Sequence, residues 1–104
     1  MDLGSQGRYR ETKSLLRKIT PVAQRVLGEG NELTLRMRWN YALALYGQAG
    51  ATLDDWREAV ETLEDANRIA RRVLGGSHPT TREIDESLRF LRTNLAARET
   101  PSGN

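Results

Sequence analysis

Apolar residues recur at three- and four-residue steps along most of this chain. Between residues 56 and 74, Trp56, Ala59, Val60, Leu63, Ala66, Ala70, Val73 and Leu74 fall on one side of a helix. Tyr9, Leu16, Ile19, Ala23, Val26 and Leu27 draw the same stripe near the start. Both runs close on Val-Leu-Gly, where Gly28 and Gly75 can take the left-handed conformation that ends a helix. Asn31 is placed to cap a helix over 32–47, and Ser77 or His78 one that opens at Pro79, whose missing N–H costs nothing in a first turn. Thr80 and Glu83 offer a competing start with capping-box spacing, and Asp55 with Glu58 marks another. The pattern predicts helices at 8–27, 32–47, 54–74 and 79–97, with flexible ends at 1–7 and 98–104. Pro21 lies inside the first helix and deprives the Arg17 carbonyl of its donor at a cost of about 3 kcal/mol, so a kink or break near Thr20 is expected.

The stripes belong to an internal repeat. Residues 9–28, YRETKSLLRKITPVAQRVLG, align without a gap to 56–75, WREAVETLEDANRIARRVLG, at an offset of 47. Tyr9 meets Trp56, Leu16 meets Leu63, Ala23 meets Ala70, and Arg25 to Gly28 meets Arg72 to Gly75. The following GEGNELTLRM meets GGSHPTTREI in the same register.

Composition narrows the class. With 104 residues, 38% of them hydrophobic and only six aromatics, the chain is expected to be one all-α domain with a modest core. It has no cysteine, so disulfides, thiolate metal sites and cysteine nucleophiles are excluded. Met1-Asp2-Leu3-Gly4 does not read as a secretory signal, and no apolar run is long enough to span a bilayer, so no membrane insertion and an intracellular, cytoplasmic location are expected. The net charge of +2 is small but unevenly spread. Arg8, Arg10, Lys13, Arg17, Lys18 and Arg25 face one acid, Glu11, in the first helix, whereas Asp54, Asp55, Glu58, Glu61, Glu64 and Asp65 crowd the third.

The runs QGRYRE, RVLG and HPTT, together with LTLRMRWNYALALYGQAG, resemble tetratricopeptide repeats of the kinesin light chain type over residues 6–92. The resemblance implies an α-solenoid fragment of antiparallel helix pairs, each a helix A followed by a helix B. In that frame SQGRYRE is an A-to-B turn, the order is B-A-B-A, and one complete unit, 32–75, stands between an orphan B helix and an orphan A helix. Each end would then lack a neighbour.

The implied function is non-enzymatic binding of a protein or peptide in a groove lined by A helices. Arg36, Trp39, Asn40 and Leu43 share one face by their spacing, and the resemblance makes Asn40 the contact to a peptide backbone. The alternative is a homo-oligomer or larger assembly that stacks or swaps end helices through exposed Leu88, Leu91 and Leu95, with the basic first and acidic third helices selecting the register. A third reading, an RNA-binding helical repeat, rests on the basic first helix but lacks interleaved stacking aromatics. No phosphate loop, metal cluster or nucleophile–base pair is recognisable, so no cofactor and no catalysis are expected; His78, the single histidine, is assigned to a cap.

Overall fold

Two turns, built alike and 47 residues apart, set the register of the whole molecule. The computed structural model describes residues 3–99, with side chains from Arg10 onward. Four helices follow in order: α1 Leu3–Val26, α2 Glu32–Gly47, α3 Leu53–Val73 and α4 Pro79–Glu99; there is no strand among the described residues. After α1, Gly28 has φ 94° and its N–H donates to Gln24 at 3.1 Å; after α3, Gly75 has φ 92° and donates to Ala70 at 3.1 Å. The Asn31 N–H then returns to the Gly28 carbonyl, as the His78 N–H does to that of Gly75. Asn31 Oδ1 accepts the Leu33 N–H at 2.8 Å, and His78 Nδ1 accepts the Thr80 N–H at 3.1 Å. Of the competing starts for α4, His78 is therefore the cap. Thr52, not singled out by the sequence pattern, caps α3 in a reciprocal box with Asp55 at 3.0 and 3.1 Å.

The first helix differs from expectation twice. It begins at Leu3, so SQGRYRE is helical rather than a turn. Gly4 and Gly7 each cost about 1 kcal/mol against alanine, a penalty that the good helix formers around them, Gln6, Arg8, Arg10 and Glu11, partly offset. It also runs through Pro21 without a break, with the ring on the exposed side. Residues 1 and 2, the trailing segment 100–104 and the Tyr9 side chain lie outside the described residues.

The molecule is 20 Å thick in its shortest dimension, two helix diameters. Each helix packs on the next; α2 also touches α4, whereas α1 packs on α2 and, among the described residues, reaches α3 through the Arg17–Glu58 pair alone. The core is consequently built by the last three helices: Leu35, Ala42 and Leu45 of α2, Trp56, Ala59, Leu63, Ala66, Ile69 and Ala70 of α3, and Ile84, Leu88 and Leu91 of α4. Leu88 and Leu91 are thus buried, and Leu95 is half-buried against the same cluster, which corrects their expected exposure. Their i, i+3, i+7 spacing is the apolar stripe by which α4 docks on α3.

The outer side of α4 is polar for a reason visible in the repeat. Leu35, Ala42 and Leu45 lie on the stripe from which Arg38 reaches α3, and all three are fully buried. Their counterparts one repeat later are Arg82, Arg89 and Arg92, all exposed. A further helix packed there would bury three guanidinium groups.

Candidate functional site

Helices α2 and α4 lie side by side with repeat-equivalent residues level. Thr80 Oγ1 donates to Glu32 at 2.9 Å, Arg36 Nη1 reaches Glu83 at 3.5 Å, and Trp39 Nε1 donates to Ser87 Oγ at 2.9 Å. These contacts advance in the same direction on both helices, which makes the pair parallel, and their separations of 47 or 48 residues reproduce the sequence repeat.

This face carries the four candidate groove residues, in different states. Arg36 is exposed, but its guanidinium is paired with Glu83 and lies 5.8 Å from the Trp39 ring centroid. Trp39 is half-buried against the core with its N–H already bonded, so it forms a wall rather than a free anchor. Asn40 is exposed, and its amide makes no hydrogen bond among the described residues. Leu43 is half-buried. One repeat later its counterpart is Phe90, 52% exposed.

Phe90 belongs to an aromatic cluster that the pattern of apolar positions did not single out. Its ring centroid is 6.0 Å from Tyr46 and 6.4 Å from Trp56, and Tyr46 is 5.6 Å from Trp56. The Arg98 guanidinium covers the Trp56 ring at 4.2 Å, a cation–π contact. The offset of 47 from Leu43 was the available signal for Phe90.

On the other side of α2 a shallow cleft of ≈ 260 Å³ is lined by Arg17, Thr20, Arg38, Tyr41, Glu58 and Thr62, among others. The Tyr41 hydroxyl donates to Glu58 and accepts from Arg17 Nη2 at 3.0 Å, so three helices meet at one phenol. Burial pushes the Tyr41 hydroxyl pKa up, and the bond to Glu58 adds to the effect. The bond to Tyr41 in turn holds the Arg17 guanidinium above its usual value. A phenol kept protonated and a carboxylate already occupied make a structural tie.

Several acids of α3 are likewise engaged by neighbouring helices, whereas Asp54 pairs within α3 and Glu61 makes no ion pair among the described residues. Asp65 pairs with Arg38 of α2 at 2.7 Å, while Glu64 takes Arg92 of α4 at 2.9 Å. Among the described residues of α1 only Arg17 joins them, 3.8 Å from Glu58. Arginines of the other three helices thus engage Glu58, Glu64 and Asp65, the first of these from the basic α1. Among the described residues no group of three His, Cys, Asp or Glu side chains could hold a metal ion, and no helix is long and apolar enough to cross a membrane.

Comparison with protein-family models, with curated proteins and with solved structures finds no match. A role must therefore be argued from the geometry itself. The strongest feature is the α2–α4 face, where Asn40 is exposed with its carboxamide unbonded among the described residues, Leu43 is half-buried and its repeat counterpart Phe90 is exposed.

Proposed function

We propose that the chain is a non-enzymatic protein-interaction module of tetratricopeptide-like arrangement, in which α2 and α4 are successive A helices and α1 and α3 are B helices. The observation that carries this reading is the level, parallel pairing of α2 with α4 at the repeat separation, from Glu32–Thr80 through Trp39–Ser87. Stacked helix pairs expose a continuous surface along like helices, and such surfaces suit extended peptides. Asn40 supplies both a donor and an acceptor for a peptide backbone. Leu43 and Phe90 supply the apolar surface for a side chain of that peptide. Arg36, neutralised by Glu83, and Trp39, bonded to Ser87, shape the wall of the groove.

The test is selection of displayed peptides against the full chain, followed by amide chemical-shift mapping of the enriched sequences. Shifts centred on Asn40, Leu43 and Phe90, and at least tenfold weaker binding by Asn40→Ala, are expected. Peptides that map to α1 or to the Tyr41 cleft, or that ignore Asn40→Ala, would refute groove binding.

A further inference from the structure

The outer face of α1 carries a stripe that nothing in the described structure covers. Leu15 is 56%, Val22 44% and Val26 74% exposed, with half-buried Ile19 completing the i, i+4, i+7, i+11 series. The repeat identifies the equivalent face on α3: Thr62, Ala66, Ile69 and Val73, flanked by Glu58 and Asp65. That face is closed by α2 over Ala66 and Ile69, while Val73 at its end stays 51% exposed. Asp65 takes Arg38, Glu58 takes the Tyr41 hydroxyl, and Ala66 and Ile69 are buried. On α1 the counterpart of Glu58 is Glu11, unchanged, while the counterpart of Asp65 is Lys18, of opposite sign. Lys18 and Arg25, both exposed, make no ion pair among the described residues.

From this we infer that the outer face of α1 docks an amphipathic helix of a partner protein, one that resembles α2 but bears a carboxylate where α2 bears Arg38. Such a helix keeps a phenol or other donor opposite Glu11, places its acid on Lys18, and lays small apolar residues against the bulkier Leu15 and Ile19 that replace Thr62 and Ala66. The inference rests on the repeat-like packing and is independent of groove binding at Asn40.

A second copy of the chain fits this face poorly. Stacked head to tail, α4 would bring Asp85, the counterpart of Arg38, to Lys18, but Arg82, Arg89 and Arg92 would then be buried on Leu15, Ile19 and Val22. Asp85 is in any case held by Arg71 at 3.3 Å and Arg89 at 3.2 Å. Paired antiparallel through α1, with Ile19 on Val22, two copies would set Lys18 against Arg25. For nucleic acid, the stripe offers aliphatic side chains where stacking needs rings.

A labelled peptide spanning residues 31–48 with Arg38→Glu serves as the probe, and the unaltered peptide as its control, with binding to the full chain read by fluorescence anisotropy. The glutamate peptide is expected to bind more tightly, on the order of fivefold, as a partly exposed ion pair allows. Lys18→Glu in the chain should reverse that preference, and Val22→Asp should abolish binding of both peptides. Val22 is exposed, so circular dichroism should show this variant folded, and the reversal by Lys18→Glu stands without it. No binding of either peptide, or a preference indifferent to Lys18→Glu, would overturn the proposal. So would light scattering that shows a chain dimer dispersed by Val22→Asp, or single-stranded RNA binding that requires Lys18 and Val22 and resists the peptide.

Discussion

Arg38 of α2 reaches Asp65 of α3 at 2.7 Å with its side chain only 11% exposed, and its second terminal nitrogen, Nη1, is buried without a partner. A cation so placed depends on its one carboxylate. Asp65→Ala is expected to destabilise the fold by about 2 kcal/mol in urea unfolding, because it leaves the guanidinium uncompensated. Arg38→Met, which removes the buried charge and keeps the stem, should cost less. A larger loss from Arg38→Met than from Asp65→Ala would contradict this account.

The same pair predicts a pH response. Burial acts to raise the Asp65 pKa, but the hydrogen bonds and charges of Arg38 and Arg68 outweigh it and hold the carboxyl below its ordinary value. A carboxyl depressed in the folded state contributes stability that is complete above its unfolded pKa and is lost as pH falls through the folded one. Stability should therefore decline below about pH 4, and Asp65→Asn should flatten that limb of a pH series of urea midpoints. An unchanged acid limb would assign the decline to other carboxylates.

Asn31 and His78 show what was legible in the sequence. The offset of 47 placed both at the start of a helix, and both accept the N–H two residues on, although one is an amide and the other an imidazole. Periodicity and turn chemistry are local properties, so the helices after the first were readable to within a residue or two. Exposure depends on which neighbour is present. Leu88 and Leu91 therefore read as free when they are core, because the sequence gives the apolar stripe of α4 but not which side of it α3 covers. Trp39 stood out as a single residue while Tyr41 did not, and the roles of these two and of Arg38 come from Ser87, Glu58 and Asp65 on helices far along the chain.

The two caps can be compared directly. Asn31→Ala and His78→Ala should each cost about 1 kcal/mol, whereas His78→Asn, which restores the side-chain acceptor found at Asn31, should recover most of the loss. Thermal unfolding of the three variants measures this. Equal losses in His78→Ala and His78→Asn would mean that the histidine acts through its packing rather than through the cap.

Burial separates the leucines of α4 from the apolar residues of α1. Leu91→Ala should cost 2–5 kcal/mol by the usual range for a fully buried leucine, "about 3" being the central expectation, whereas Val26→Ala should change stability by less than about 0.5 kcal/mol. Leu91→Glu should unfold the chain rather than alter its oligomeric state. A folded Leu91→Glu variant of changed molecular mass would return α4 to the list of assembly surfaces.

The last prediction concerns α1, which among the described residues packs on α2, reaches α3 only through Arg17 and Glu58, and buries a single apolar side chain, Ala23. A helix so lightly held opens locally at a free energy below that of global unfolding. Pro21 weakens it further, since the Arg17 carbonyl has no N–H to receive four residues on. In native-state hydrogen exchange, amides of α1 should exchange through a local opening, while those around Leu63 and Ala66 of α3 should require global unfolding. Pro21→Ala, at an exposed position within a continuous helix, supplies the missing N–H and should slow exchange along α1 with little effect on α3. Protection of α1 equal to that of α3 before the substitution would mean that α1 is held by more than the contacts with α2, and would leave its outer stripe without the local freedom that a docking helix would quench.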